Sequence, residues 1–273
     1  MPILPFPFQP QRQPQDLAAA RRAIIAALVE AVAQEPFQAR FRKHPHGQPV
    51  VGWADRLRSY FWPDPSIGYA ETAERMAEII ARITPLAQIV DRQGEWTDDQ
   101  RRAAVAAADE IFIWGGVPQA TPDWSQVYWV IQSALHGENH GPMNSGWTKV
   151  AAFATSWLES IPGRMPQTIW DSRVATAIIH RLDCLMRDVP FPTRTLFPEL
   201  GTVAGRGGTR PRPLVLRWRN GYGRWESQHA GSRLVCEIRN ELNAGRTTML
   251  LPDGGEGVWT IRGVEQVLFM DGY

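Results

Sequence analysis

The chain has 273 residues, of which 44% are hydrophobic and 21% are charged, so it can bury a substantial core. Its formal net charge of +1 excludes a uniformly basic surface for nucleic acid but not a local basic patch. No apolar run approaches the ~20 residues that a membrane-spanning helix needs. The two cysteines, Cys184 and Cys236, suit neither a disulfide framework nor a zinc site. We therefore expect a cytoplasmic protein with no membrane contact, no metal ion and no cofactor.

Lysine is scarce in this chain. Lys43 and Lys149 are the only lysines among 29 basic Lys and Arg residues. Codon usage that favours arginine is the simplest explanation of this bias. A lysine amine can nevertheless lose its proton near neutral pH and form a Schiff base, which arginine cannot do. Each lysine is therefore a candidate for this chemistry.

Residues 1–15 are rich in Pro and Gln and are predicted to form an extended arm, followed by one predominantly α-helical domain over 16–273. Polar residues such as Asp16, Thr97 and Asp123 precede apolar residues at helical spacing and are predicted N-caps. The predicted helices cover about 17–35, 69–83, 97–114, 124–135, 146–160, 172–187, 227–243 and 260–270. Pro85 lies just beyond the predicted end of the second helix.

A loop rich in Pro, Gly and Arg is predicted over about 188–225, with one short strand at 214–218. Arginines and aromatic residues alternate in its second half without an acidic residue. These residues are Arg206, Arg210, Arg212, Arg217, Trp218, Arg219, Tyr222, Arg224 and Trp225. Such a composition suits phosphates and unstacked bases, and Arg206, Arg210 and Arg212 are the candidate nucleic-acid contacts. The alternative is a solvated loop whose arginines reflect codon usage.

The most informative pattern lies in the segments MNSGWTKVAAF at 143–153 and IWDSRV at 169–174. It resembles the helix-hairpin-helix DNA glycosylases, in which a tight hairpin leads into a helix with a lysine and an essential aspartate stands at the head of the next helix. Lys149 and Asp171 fall at these two places. The resemblance implies an all-α fold of two helical lobes, with the active site in the cleft between them and the hairpin and catalytic segment at about 140–187.

The lysine and aspartate pair also has a chemical rationale of its own. Breaking a C1′–N glycosidic bond develops positive charge on the sugar, which the Asp171 carboxylate would stabilise. Lys149, neutralised by burial and with Asp171 helping to deprotonate it, would attack C1′. The alternatives are a simple N-cap for Asp171 and a solvated charge for Lys149. The turn HGENHGP contains His136 and His140 but offers no third metal ligand, so both are interpreted as structural.

A second resemblance lies at the end of the chain, in the segment GVEQVLFMD at 263–271. In 8-oxoguanine DNA glycosylases, a late helix with a Val-Leu-Phe triplet puts its Phe ring against the base, and a Gln one turn earlier contacts the base edge. Phe269 takes the place of the ring and Glu265 that of the glutamine. Phe153 would form the opposite wall of the base pocket. The alternative is that this segment is only a stripe of core residues.

Together the resemblances imply a DNA N-glycosylase that excises a modified, purine-like base flipped out of a duplex. The lysine implies AP lyase activity as well. The hairpin residues Ser145, Gly146 and Trp147 would contact DNA. Compact prokaryotic proteins of the 8-oxoguanine glycosylase fold resemble components of anti-phage defence operons, which implies partner proteins from such an operon. The alternative function is a non-catalytic module that binds nucleic acid or protein and retains the fold.

Overall fold

The structure is a computed structural model that describes residues 16–117, 120–205 and 209–273. The predicted arm at 1–15 lies outside the described residues. The described chain is mostly helical, as predicted. Its helices are α1 (Leu17–Gln34), α2 (Trp53–Arg58), α3 (Tyr69–Asp91), α4 (Asp98–Trp114), α5 (Trp124–His136), α6 (Trp147–Ala154), α7 (Ser172–Leu185), α8 (Thr193–Leu196), α9 (Trp225–Ala244) and α10 (Ile261–Asp271). A 3-10 helix at Ser156–Ser160 follows α6.

The predicted N-caps are confirmed, because each side chain accepts a hydrogen bond from a backbone N–H in the first turn of its helix. Asp16 accepts from Ala19 N at the start of α1. Thr97 and Asp123 each form a capping box with the Gln three residues later, at the starts of α4 and α5. Local side-chain chemistry therefore defines where these three helices begin.

The predicted end of the second helix before Pro85 is wrong. Helix α3 continues to Asp91 with Pro85 inside it. Proline removes one backbone donor from the helix, but the turns that follow bury Leu86, Ala87 and Val90. Burial of these apolar side chains stabilises the continued helix more than the lost hydrogen bond destabilises it.

The strands are short, and the one predicted at 214–218 is not formed. Within the described ranges, the strands form three pairs: β1 (Arg40–Phe41) with β2 (His44–Pro45), β3 (Gly201–Thr202) with β4 (Arg219–Asn220), and β5 (Met249–Leu250) with β6 (Glu256–Gly257). The backbone N–H groups of Val215 and Leu216 donate instead to the carboxylate of Asp183 in α7. These two donors are therefore satisfied without a neighbouring strand.

The described residues form two apolar cores. One core packs α3, α4, α5 and α6 together, and the other packs α1, α2, α7, α8, α9 and α10. Ile169 belongs to the first core and its neighbour Trp170 to the second, so the segment that enters α7 crosses from one core to the other. In the described part of the chain, no helix is long and apolar enough to cross a membrane.

Candidate active site

A cavity of about 370 Å³ is lined by residues from both cores. Its lining is unusually rich in aromatic rings and charged groups. The lining residues are Tyr60, Trp62, Trp114, Gly115, Gly116, Val117, Asn144, Ser145, Lys149, Ile169, Asp171, Ser172, Arg173, Ala204, Tyr222, Glu265, Gln266 and Phe269. Four residues predicted as catalytic or base-contacting therefore reach one cavity: Lys149, Asp171, Glu265 and Phe269.

Lys149 lies in the first turn of α6, and only 5% of its side chain is exposed. Its Nζ donates a hydrogen bond to the Ser145 carbonyl oxygen at 2.8 Å and lies 3.7 Å from Asp171 Oδ2. The solvated-charge interpretation of Lys149 does not fit this burial. A buried amine next to a carboxylate can act as a nucleophile once it has lost its proton.

Asp171 is the N-cap of α7, and its two carboxylate oxygens have different partners. Oδ1 accepts from the backbone N–H groups of Arg173 and Val174 at 2.9 and 3.2 Å. Oδ2 is the oxygen that faces Lys149. Asp171 is therefore an N-cap, as the alternative interpretation predicted, and its second oxygen is paired with Lys149 at the same time.

Burial lowers the pKa of Lys149 below its usual value, and the Arg173 guanidinium lowers it further. Asp171 acts in the opposite direction, since its negative charge raises this pKa. Asp171 was expected to help to deprotonate Lys149, but its charge stabilises the protonated amine. Burial and Arg173 favour the free amine, whereas Asp171 favours the ammonium form.

Glu265 lines the cavity, and its side chain is 4% exposed. Its Oε2 accepts from the Thr168 hydroxyl at 2.8 Å, from the Ile169 backbone N–H at 2.5 Å, and from the Arg262 guanidinium. None of the described residues donates a hydrogen bond to Oε1. The carboxylate thus holds Thr168 and Ile169, which precede Asp171, through Oε2, and Oε1 can accept from another molecule.

The Phe269 ring lines the cavity within an aromatic cluster. It meets the Trp62 ring edge to face, with centroids 5.4 Å apart. The Arg173 guanidinium lies 4.4 Å from the Phe269 centroid and 3.9 Å from that of Tyr273, the final residue. Arg173 therefore covers part of the ring surface on which a base was expected to stack.

Phe153, the predicted opposite wall, is absent from the cavity lining and is 0% exposed. It lies behind Trp114, with ring centroids 5.1 Å apart, and the Arg262 guanidinium lies 5.4 Å from its centroid. Trp114 therefore lines the cavity and Phe153 does not. In the sequence, Trp114 is only the last residue of a predicted helix, and no local pattern relates it to a pocket.

The hairpin before α6 satisfies its own backbone donors. The N–H groups of Gly146 and Trp147 both donate to Asn144 Oδ1, at 2.8 and 3.2 Å. The Trp147 ring is buried against Phe112, with centroids 5.0 Å apart. The Ser145 carbonyl accepts from Lys149. In this conformation these groups hold the lysine and the start of α6, whereas DNA contact was predicted for Ser145, Gly146 and Trp147.

The three candidate arginines of the loop have different surroundings. Arg206 lies outside the described residues. Arg210 donates to the carbonyl oxygens of Met270 and Asp271 at the end of α10, at 3.4 and 3.3 Å. Arg212 is exposed, and its backbone N–H donates to His180 Nε2 at 3.0 Å. Of the two described arginines, only Arg212 therefore has a side chain exposed to solvent.

The residues that the structure describes contain no group of three or more His, Cys, Asp or Glu side chains that could hold a metal ion. Comparison of the chain with protein-family models, with curated proteins and with solved structures finds no match. The interpretation of the cavity therefore depends on its own chemistry.

Proposed function

We propose that the protein is a DNA N-glycosylase with AP lyase activity, in which Lys149 is the nucleophile and Asp171 stabilises positive charge on the sugar. The observation that carries this proposal is the 3.7 Å approach of Lys149 Nζ to Asp171 Oδ2 in a cavity lined by aromatic rings. A buried amine with a lowered pKa is an activated nucleophile. The helix-hairpin-helix glycosylase fold is part of the same proposal.

The reaction begins when the free amine of Lys149 attacks C1′ of the nucleotide. The C1′–N bond breaks, its electron pair goes to the base, and the departing base takes up a proton. Asp171 Oδ2 stabilises the positive charge that develops on the sugar in this step. Opening of the sugar ring then gives a Schiff base between Lys149 and C1′, and loss of a C2′ proton expels the 3′ phosphate.

The substrate we propose is a duplex that carries one flipped, guanine-derived base. A flipped base needs a cavity with flat apolar walls and polar groups at its edge. Trp62, Trp114 and Phe269 supply such walls, and Glu265 supplies a hydrogen-bond acceptor. The exposed Arg212 suits the phosphate backbone. Association with proteins of an anti-phage defence system belongs to this proposal as the biological setting that the family resemblance implies.

The decisive experiment is Schiff-base trapping with borohydride on a duplex that contains an abasic site. The wild-type protein should form a covalent adduct, and Lys149→Gln should abolish it. Lys43→Gln is the matched control, because Lys43 is the only other lysine and is exposed. Adduct formation by Lys149→Gln at the wild-type level would contradict the proposal.

The same assay separates the enzyme from the alternative of a non-catalytic binding module. A module of that kind would bind the duplex and show no adduct in the wild-type protein. Duplex affinity is therefore measured in parallel for the wild type and Lys149→Gln. Equal affinities without any adduct would favour the binding module.

A further inference from the structure

Tyr60 is a buried residue with an unused hydroxyl group in the cavity. Tyr60 is 4% exposed and lines the same cavity as Lys149 and Asp171. No described residue makes a hydrogen bond to its hydroxyl, and the hydroxyl oxygen keeps some contact with solvent. A buried hydroxyl without a protein partner is costly unless water or a ligand satisfies it. The hydroxyl is therefore available to a molecule in the cavity.

The position and charge state of this hydroxyl are well defined. The Tyr60 ring packs edge to face against Phe269, with centroids 6.0 Å apart. Burial, together with the nearby Glu265 carboxylate, raises the pKa of Tyr60 well above its usual value. The hydroxyl therefore keeps its proton at neutral pH and can donate a hydrogen bond to a ligand.

Two acceptor atoms of residues that line the same cavity also lack donors among the described residues. Oε1 of Glu265 is one of them, because the hydrogen bonds to this carboxylate go to Oε2. The amide oxygen of Gln266 is the other, because this amide contacts the Met76 sulfur through Nε2 at 3.6 Å. Gln266 is 4% exposed and lines the cavity.

We propose that Tyr60 is a specificity-determining residue that donates a hydrogen bond to the carbonyl oxygen of a guanine-type base, while Glu265 and Gln266 accept from its N–H groups. The proposal rests on the proposed function, since it assumes that the cavity receives a base. Guanine presents one carbonyl acceptor beside two N–H donors on its Watson–Crick edge. Uracil and thymine present a second carbonyl there, which would face an acceptor of the protein.

The proposal is tested by calorimetric binding of free bases that differ by one group. The wild-type protein should bind 9-methylguanine roughly tenfold more tightly than 9-methyl-6-thioguanine, which keeps N1–H and the exocyclic amine but has sulfur, a weak hydrogen-bond acceptor, in place of the carbonyl oxygen. It should also prefer 9-methylguanine to 9-methylhypoxanthine, which lacks the exocyclic amine. These comparisons need no variant and no catalysis, so they remain valid if the trapping experiment fails.

The variant that tests the residue is Tyr60→Phe, which keeps the ring and removes the hydroxyl. The preference for 9-methylguanine over 9-methyl-6-thioguanine should fall to about one in this variant. Tyr69→Phe is the matched control, because the Tyr69 hydroxyl donates to the Leu250 carbonyl at 2.8 Å and Tyr69 is not part of the cavity lining. Its preference should equal that of the wild type.

Three results would overturn the proposal. The first is that the wild type does not bind 9-methylguanine or binds both purines equally. The second is that Tyr60→Phe retains the wild-type preference. The third is that Tyr69→Phe loses the preference as fully as Tyr60→Phe, since the effect would then come from general loosening of the fold. If the wild type forms no covalent adduct but shows the expected base preference, only the glycosylase proposal is contradicted.

Discussion

Gly115 leaves the space through which the Lys149 side chain passes. A Cβ atom at Gly115 would lie 2.5 Å from Lys149 Cδ and 2.8 Å from Lys149 Cε. Gly115 has a φ of −75°, which any residue can adopt, so the backbone does not require glycine here. The stem of the lysine is the reason that a side chain does not fit at this position.

We expect Gly115→Ala to displace Lys149 from the Ser145 carbonyl and from Asp171. A shift of the nucleophile by about 1 Å should lower the rate of Schiff-base trapping roughly 10- to 100-fold. Gly245→Ala is the control, because Gly245 also ends a helix with a φ of −71° and its Cβ would meet nothing closer than 3.5 Å. Equal trapping rates for the two variants would show that the lysine stem tolerates the extra methyl group.

The pH dependence of trapping should shift in opposite directions in two variants. The free amine of Lys149 increases as pH rises through its pKa, which is below the usual value. Asp171 raises this pKa, so Asp171→Asn should move the rising limb of the profile to lower pH. Arg173 lowers it, so Arg173→Met should move the limb to higher pH. Cyanoborohydride trapping on an abasic duplex measures both profiles without a base-release step.

Shifts in the same direction, or no shifts, would contradict the opposite effects of Asp171 and Arg173 on the pKa of Lys149.

Asp171→Asn should also lower the rate of base excision. Asp171→Asn retains a side-chain oxygen that can cap α7, so the fold should persist while base excision falls by orders of magnitude. Undiminished excision by a folded Asp171→Asn variant would leave Asp171 with the capping role alone.

Glu265→Ala should destabilise the fold strongly. The substitution removes the acceptor of the Ile169 backbone N–H and of the Thr168 hydroxyl, and it leaves Arg262 without its carboxylate. Loss of one partner of such a buried pair costs ~3–5 kcal/mol of unfolding free energy. Glu265→Gln keeps an acceptor oxygen and should lose less. Urea unfolding of both variants, followed by circular dichroism, tests this order, and a more stable Glu265→Ala would contradict it.

Arg210→Ala should mainly lower the stability of the fold, whereas Arg212→Ala should mainly weaken nucleic-acid binding. Arg210 binds the final carbonyl oxygens of α10, so its loss should lower the unfolding free energy by ~1–2 kcal/mol. Arg212 is exposed, so its loss should change stability by less than ~0.5 kcal/mol. If Arg212 contacts a phosphate, its removal should reduce the slope of log affinity against log salt by roughly one unit. An unchanged slope would indicate a solvated loop.

Several features of this protein follow from the sequence because their causes are local. Asp16, Thr97 and Asp123 cap their helices through backbone N–H groups no more than three residues away. The apolar spacing that follows each cap determines the buried face of the helix. The pairing of Lys149 with Asp171 has no such local cause: the family resemblance of the two segments predicted it, and the structure brings Nζ and Oδ2 to 3.7 Å.

Other features depend on residues that are distant in the chain. Helix α3 passes Pro85 because the following turns are buried in a core made by other helices. Val215 and Leu216 form no strand because Asp183, 32 and 33 residues away, accepts their hydrogen bonds.

The composition of the cavity was likewise decided by tertiary structure. Trp114 lines the cavity although Phe153 was expected to do so. Gly115 leaves room for the side chain of Lys149, which comes 34 residues later in the chain. Tyr60 enters the cavity from the segment after α2, which no sequence motif connects with Lys149. Caps and apolar spacing depend on neighbours within one or two helical turns, so a sequence pattern reveals them. The shape of a cavity depends on how whole helices pack, and that packing is a property of the complete fold.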